Sequence, residues 1–290
     1  MTGDTALALD ETTLRRWIGR QALAVDTLAP AALRLLAATL DRPIDLSPGA
    51  AVPPLWHWLY FLSAEPPRNL GADGHARRGG FLPPVPLQRR MWAGSRLVWR
   101  RPLRVGETLQ RQSTVEDVAL KRGRSGPLVF VTVRHELRAD ADADAALVEH
   151  HDIVYRGPVA SAAGGTLAAT TANAAWTRDL VPDEVLLFRY SALTFNGHRI
   201  HYDHPYATQA EGYPGLVVHG PLIATLLLDL LHRSDAQANV RRFQFRALSS
   251  AFAQQQLQLR GEPAAGGHSA QLWACDGQER MLMRAQADWD

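Results

Sequence analysis

The stretch GPLIATLLLDLLHR, Gly220 to Arg233, decides the fold class of this 290-residue chain. Apolar side chains occupy most positions from Leu222 to Leu231, so a helix formed here is apolar on most of its faces and must be buried. Pro221 favours a first helical turn, which predicts that the helix begins at this end of the stretch. The remaining chain has to supply a layer that covers this helix.

Four stretches that follow the helix have the pattern of β-strands. Apolar and aromatic residues recur in them, with turn signals between. They are VRRFQFRALS (240–249), QQLQLRGEP (255–263), SAQLWACDG (269–277) and RMLMRAQADW (280–289). A buried helix followed by a meander of antiparallel strands predicts an α+β fold in which a sheet wraps round the helix.

The first part of the chain repeats this order of elements. A stretch with leucines at helical spacing, PAALRLLAATLD (30–41), is followed by four strand-like stretches. These are SRLVWRRPLRV (95–105), ETLQRQSTVEDVALK (107–121), PLVFVTVRHELRA (127–139) and EHHDIVYRG (149–157). Two such units in tandem can pair their sheets edge to edge.

One more stretch of the second part has an apolar pattern. DEVLLFRYSAL (183–193) is predicted to be a strand that runs into a turn.

A change of composition divides the chain in two. Residues 157–176 are rich in alanine, glycine, threonine and serine and carry no charge, which is typical of a linker. We therefore predict an N-terminal domain over residues 1–157, a linker over residues 158–176 and a C-terminal domain over residues 177–290.

Charge and cysteine content exclude several classes of protein. The 31 basic and 29 acidic residues nearly balance, so nothing indicates a nucleic-acid partner. Cys275 is the single cysteine, which rules out an intramolecular disulfide and a cysteine-rich metal site and fits a reducing cytosol. No apolar run reaches the roughly 18 residues that span a bilayer, and the first residues do not resemble a secretory signal. We therefore expect a cytoplasmic protein with no membrane partner.

The stretch SALTFNGHRIHYDHPYA (191–207) concentrates residues that can carry out chemistry. Its histidines, His198, His201 and His204, follow one another at intervals of three. A metal site is one interpretation, but this spacing does not keep all three on one helix face, and Gly197 and Pro205 disfavour a regular helix. An acid–base site and a polar loop that is merely rich in histidine therefore stay open, and we expect neither a bound metal nor a separate cofactor.

The overlapping region YSALTFNGHRIHYD (190–203) resembles the motif of the MaoC-like hydratases and dehydratases, which have a hot-dog fold. In that family an aromatic residue precedes the pattern S/T-G-D-x-N-P-x-H. A His-Gly pair then opens the buried helix further along, as in GLVVHGPL (215–222) here. The double length resembles the branch with two hot dogs in one chain. The resemblance implies a tandem double hot dog, with an antiparallel sheet round a buried central helix in each half. It also implies a degenerate, pocket-forming first half.

The resemblance places the family's catalytic histidine at His201 and its carbonyl-binding glycine at Gly220. A histidine accepts and returns protons near neutrality, and a helix N-terminus stabilises negative charge on a thioester oxygen. The family's catalytic aspartate is replaced by Asn196, whose amide cannot act as a base but can hold a water molecule. His198 and Asp203 are the local candidates to take over the function of the lost carboxylate.

Several neighbouring side chains have two interpretations. Asp203 replaces the lost carboxylate, or it orients a histidine or caps the helix that follows at Pro205. Arg199 pairs with a substrate carboxylate or a CoA phosphate, or it stays solvated. His219 supports the site or only packs before the helix. His204 is expected at the surface.

The first half lacks the family's acid–base pattern, because Asp41 is not followed by a histidine five residues later. We therefore expect no acid–base pair in this half. The loop HARRGGFLPP (75–84) combines arginines with glycines and either meets the phosphates of CoA or is a solvated basic loop.

By resemblance, the expected activity is that of a hydro-lyase, the reversible hydration of an enoyl-CoA thioester. The first candidate reaction is hydration of mesaconyl-C4-CoA to citramalyl-CoA. Dehydration of 3-hydroxyacyl thioesters on CoA or acyl carrier protein is the nearest alternative. A hot-dog thioesterase and a non-catalytic acyl-CoA-binding protein are alternatives from other classes. The expected partner is an acyl-CoA, and assembly as a monomer or a homodimer stays open.

Overall fold

The computed structural model describes residues 9–123, 126–157 and 174–290. Most of the predicted linker, residues 158–173, lies outside this range. Its last residue, Trp176, already begins a strand.

The second half is built round one long buried helix. Helix α4 (Gly220–Ser234) has a continuous run of buried residues from Leu222 to Leu231, as its sequence predicts. It packs against four strands of its own half. The strands of this half are β6 (Trp176–Leu180), β7 (Val240–Ala247), β8 (Leu257–Pro263), β9 (Ser269–Asp276) and β10 (Met281–Trp289).

The first half has the same strand pattern but a different helical layer. Helix α2 (Pro30–Leu40) buries a single stripe of residues and packs against α3 (Glu184–Leu193) of the second half. The core also receives a single-turn 3-10 helix, Trp56–Leu59. A short helix, α1 (Glu11–Arg15), precedes these elements. The strands are β1 (Gln21–Thr27), β2 (Arg89–Trp99), β3 (Thr108–Gly123), β4 (Gly126–Arg138) and β5 (Leu147–Arg156).

The ten strands found in the described part of the chain form one sheet in the order β1-β3-β4-β5-β2-β7-β10-β9-β8-β6. The halves meet where β2 pairs with β7 in antiparallel register, from Gly94 opposite Arg246 to Val98 opposite Arg242. A side chain at Gly94 would place its Cβ 2.3 Å from the carbonyl oxygen of Phe245, so only glycine allows this approach. The predicted edge-to-edge pairing of the two sheets is confirmed.

One predicted element is wrong. DEVLLFRYSAL is a helix, α3, and not a strand running into a turn. Asp183 caps its N-terminus, because the Asp183 carboxylate accepts a hydrogen bond of 2.8 Å from the backbone N–H of Leu186. Leu187 and Tyr190, three residues apart, are buried on one side. The apolar run Val185 to Phe188 concealed this helical spacing, since it equally suits a buried strand.

Candidate active site

A large cavity, with a volume of about 2190 Å³, receives residues from both halves of the chain. His201, Asn196 and Gly220, the three predicted catalytic residues, all line it. His201 ends a 3-10 turn, Arg199–His201, that follows α3, and Gly220 is the first residue of α4. The structure therefore brings the two separate sequence motifs to one site.

The geometry of His201 is that of a neutral base. Its Nδ1 lies 2.7 Å from the carbonyl oxygen of Val217. Because a carbonyl only accepts hydrogen bonds, Nδ1 carries the proton and Nε2 has the free lone pair. Burial lowers the pKa of His201 to about 4, so the ring is uncharged at neutral pH. Nε2 is thus ready to accept a proton from a water molecule.

His219 supports the ring of His201 from behind. The two rings stack with centroids 3.7 Å apart, and His219 Nε2 lies 2.8 Å from the hydroxyl oxygen of Ser191. His219 is only 1% exposed, and burial lowers its pKa well below the usual histidine value. The stacking on His201 favours the interpretation in which His219 supports the site over the one in which it only packs before the helix.

Asn196 has one half of its amide already engaged. Its Oδ1 accepts a 3.0 Å hydrogen bond from the backbone N–H of His198. The amide NH₂ group and the second lone pair of Oδ1 remain for a ligand or water, and neither atom takes up a proton near neutral pH. The geometry therefore agrees with a water-holding role and excludes Asn196 as the base.

Gly220 presents a backbone donor to the cavity. As the first residue of α4 its N–H has no partner within the helix, and the helix dipole adds positive character there. A Cβ placed at Gly220 would meet no protein atom within 4 Å, so the space in front of this residue is open. The site can accommodate a thioester carbonyl at the helix end.

Asp203 and Arg199 bind each other and do not line the cavity. The carboxylate of Asp203 accepts hydrogen bonds from Arg199 Nη2 at 2.8 Å and from the backbone N–H of Tyr206 at 3.0 Å. Asp203 therefore caps the turn that follows, one of the roles foreseen for it. The alternatives in which Asp203 replaces the catalytic carboxylate, or Arg199 binds substrate, find no support in this geometry. His204 is exposed, as expected.

Sequence reasoning missed two residues of the first half, Asp73 and His75. The Nδ1 of His75 lies 3.2 Å from Asp73 Oδ2, and the His75 and His198 rings have centroids 4.1 Å apart. One ligand atom from each of these three residues lies within 4.8 Å of the others, a spacing that is compatible with a metal ion. The sequence signal was only a short Asp-Gly-His turn in a glycine-rich loop.

A second buried acid–base pair lies in the first half. His57 Nε2 is 3.2 Å from the carboxylate of Glu149, which also accepts hydrogen bonds from Trp58 and Ser95. Burial raises the pKa of Glu149, but the hydrogen bond and charge of His57 outweigh it and lower this pKa to about 2. The sequence was searched only for a histidine five residues after Asp41, so this buried pair was not predicted.

Comparison with known proteins agrees with this geometry. The model of the hydroxyacyl-thioester dehydratase type 2 family matches residues 55–253, which include the cavity-lining loops of both halves. The chain belongs to this family. Mesaconyl-C(4)-CoA hydratase of Chloroflexus aurantiacus is 46% identical over 243 residues, which are 81% of this chain and 84% of that protein. The mitochondrial hydroxyacyl-thioester dehydratase type 2 of Schizosaccharomyces pombe is 30% identical, over 76% of this chain and 79% of that protein.

Solved structures confirm the fold expected for a hydroxyacyl-thioester dehydratase type 2 family member. HtdX of Mycobacterium tuberculosis superposes with a TM-score of 0.65 at 16% identity, over 93% of this chain and all of that one. A second M. tuberculosis protein, described as a double hot-dog fold, has a TM-score of 0.60 at 13% identity, over 94% of this chain and 96% of that one. The predicted tandem double hot dog is thus confirmed. Within the described residues, no helix has the length and apolar character needed to span a membrane.

Proposed function

We propose that this protein is a hydro-lyase that reversibly hydrates an enoyl-CoA thioester, with mesaconyl-C4-CoA as the first candidate substrate and citramalyl-CoA as its product. The observation that carries the proposal is the pairing of a neutral, cavity-lining His201 with the open helix N-terminus at Gly220. The named relative that is 46% identical supports the choice of substrate.

The reaction needs two things from the protein. The thioester oxygen gains negative charge as water adds to the double bond, and the N–H of Gly220 at the start of α4 stabilises that charge. His201 Nε2 takes one proton from the attacking water, whose oxygen bonds to the β carbon, and the proton is then returned to the α carbon. The hydroxyl group of water is thereby added to the β carbon and its proton to the α carbon, and the protein is returned to its starting protonation state.

A mesaconyl group carries a free carboxylate, which requires a cation in the cavity. Arg90 lines the cavity. Burial lowers the pKa of both His75 and His198, and the positive charge of Arg90 lowers both further. Arg90 is therefore our candidate for the counter-ion that was first sought at Arg199.

Dehydration of 3-hydroxyacyl thioesters uses the same groups in reverse, and the name of the fission yeast relative favours it as a second candidate. A thioesterase has less support, because the one acid on the carbonyl-binding helix is unavailable. Asp229 binds Arg178 and Arg233 at 2.6 and 2.7 Å and does not line the cavity.

The test is incubation of the purified protein with mesaconyl-C4-CoA and a panel of other enoyl-CoAs in water enriched in heavy oxygen. Mass spectrometry is then used to locate the label. Label at the 3-hydroxyl group of the product is the expected result, whereas release of free CoA without labelled hydroxyacyl product would show a thioesterase and contradict the proposal.

A matched pair of variants assigns the base. His201→Ala is expected to lower kcat by about 10³-fold, since a positioned base contributes about 10² to 10⁴. His204→Ala, which alters an exposed histidine three residues away, is expected to keep the parent rate. Equal rates for the two variants would show that His201 is not the base of the reaction.

A further inference from the structure

We propose that Asp73 and His75, both from the first half, form a second dyad that has taken over the water-orienting role of the carboxylate replaced by Asn196. In this assignment His75 touches the attacking water, while Asp73 is a positioning residue that acts through His75. The inference rests on the proposed function, since it names a further group for the same reaction.

The two side chains have the geometry of an oriented imidazole. Asp73 Oδ2 lies 3.2 Å from His75 Nδ1, and because a carboxylate only accepts, Nδ1 carries the proton. The Nε2 of His75 therefore holds a lone pair, and no described residue donates a hydrogen bond to it. Burial raises the pKa of Asp73, but the hydrogen bonds from the side chain and backbone N–H of His75 lower it and hold it well below its usual value. Asp73 is thus the ionised partner.

The loop that carries the dyad is held directly against the catalytic loop. The backbone N–H of Arg199 donates to the carbonyl of Asp73 at 3.0 Å, and Arg199 Nη1 donates to the carbonyl of Ala72 at 3.1 Å. Gly74 has a φ of +86°, and a Cβ there would lie 1.9 Å from the carbonyl oxygen of Gly197. Such close packing fixes the position of His75 relative to the residues that precede His201.

A row of imidazole rings connects the dyad to the predicted base. The ring of His75 lies 4.1 Å from that of His198, which in turn lies 5.4 Å from that of His201. His75, His198 and His201 all line the cavity. Burial lowers the pKa of each, so the three rings are neutral at pH 7. The charged groups that face His75 are Asp73, Arg78 and Arg90.

Two neutral imidazoles can hold one water molecule through both of its hydrogens. One O–H donates to His201 Nε2 and the other to His75 Nε2, which directs a lone pair of the water oxygen at the β carbon. His201 takes its proton as the new C–O bond forms, and that proton goes to the α carbon. The second hydrogen stays on the oxygen as the product hydroxyl, so atoms and charge balance. In the family pattern an aspartate supplies the second acceptor. Asn196 Oδ1 already accepts from the backbone N–H of His198, and a neutral amide oxygen is a weaker acceptor than the carboxylate it replaces.

The first measurement is the hydration rate of the unaltered protein, because inactivity there would refute the proposed function and leave the variants without meaning. Given an active protein, His75→Phe should lower kcat at least 30-fold with KM changed by less than threefold. Asp73→Asn should lower kcat less, by about tenfold, since the imidazole remains but its tautomer is no longer fixed. His204→Phe is the control and should retain the parent kcat.

A rescue experiment distinguishes a catalytic role of His75 from a purely structural one. Restoring the family's carboxylate with Asn196→Asp in the His75→Phe background should recover at least tenfold of the lost kcat. The same change in the His201→Ala background should recover nothing. A His75→Phe variant with more than a third of the parent kcat would overturn the inference, as would a loss of kcat that Asn196→Asp does not rescue.

A metal-ion role for the same residues predicts a different result. Under the present assignment the rate is unchanged after dialysis against EDTA, and elemental analysis finds no stoichiometric metal. Loss of activity in EDTA that zinc restores, with zinc binding abolished in Asp73→Asn, would overturn the inference by making Asp73 and the imidazoles metal ligands.

Discussion

At position 196 an amide stands where the family pattern has a carboxylate. The residues that match the motif could be predicted from the sequence, but the residues that we propose to replace this carboxylate could not. His201, Asn196 and Gly220 were found because their spacing matches a motif, and all three line one cavity. Asp73 and His75 were not found, because they lie more than a hundred residues earlier in a loop with no periodic pattern. Only the fold brings them to His198.

The pH dependence of the reaction should report the buried base. Burial disfavours the imidazolium form and lowers the pKa of His201 to about 4, so the active neutral form persists down to mildly acid pH. We expect kcat/KM to stay nearly constant from pH 8 to pH 5. A histidine with an ordinary pKa of about 6.5 would lose more than nine-tenths of its neutral form by pH 5.

This profile is measured by the loss of enoyl-thioester absorbance, with circular dichroism at each pH to confirm that the protein remains folded. An inflection near pH 6.5 in folded protein would show that the rate-controlling base is exposed, and would contradict the assignment of buried His201.

Substrate selectivity should depend on Arg90. If its guanidinium binds the free carboxylate of a mesaconyl group, Arg90→Met should raise KM for mesaconyl-C4-CoA by at least tenfold, about 1.4 kcal/mol of binding. KM for crotonyl-CoA, which has no such carboxylate, should change by less than threefold. Steady-state kinetics with both substrates test this, and an equal change for both would assign Arg90 to packing or CoA binding.

Among the structural elements, two edge strands and one helix were not predicted from the sequence. Eight of the ten strands follow from alternation and composition, but the short edge strands β1 and β6 do not stand out in the sequence. Helix α3 was predicted as a strand because four successive apolar residues conceal its period. In each of these cases tertiary packing, rather than local pattern, selects the conformation.

The loop at Gly74 packs directly against the loop that carries Asn196 and His198. Gly74→Ala would force an L residue into a φ of +86° and place its Cβ 1.9 Å from the backbone of Gly197. We expect the loop to shift and kcat to fall by at least tenfold. Gly79→Ala is the matched control, since Gly79 has a similar φ of +91° but its nearest neighbour is 3.5 Å away.

Enzyme assays and thermal unfolding of both variants separate the effect of loop displacement on kcat from the effect of backbone strain on stability. The control should lose about 1 kcal/mol of stability from its backbone conformation with little change in kcat. If Gly74→Ala kept the parent kcat, the contact between the two loops would not be needed to position His75.

In the whole molecule, the sequence predicted the tandem arrangement and the joined sheets, and the structure adds how the halves are tied together. Asp229, 1% exposed in the middle of α4, binds Arg178 of β6 and Arg233 of its own helix. Arg42, which follows α2 of the first half, lies 3.4 Å from the same carboxylate. Helix α4 of the second half is thereby tied through Asp229 to the segment that follows α2 in the first half.

Removing Asp229 should weaken the whole fold. Asp229→Ala leaves three guanidinium groups close together without their shared anion, and loss of one partner of a buried ion pair costs about 3 to 5 kcal/mol. We expect the free energy of unfolding, measured in urea, to fall by about that amount. Arg242→Ala, which breaks an exposed pair with Asp288, should cost less than about 1 kcal/mol. Equal effects of the two variants would contradict a shared buried anion.

The contact between Gly74 and Gly197 also constrains how the chain can be recombined. A chimaera with its first half from one relative and its second half from another must preserve more than the register of β2 with β7. It must also keep two glycines, one from each parent, facing each other across the site. The two halves can therefore be exchanged with the site intact only between parents that each keep the glycine on their own side of this contact.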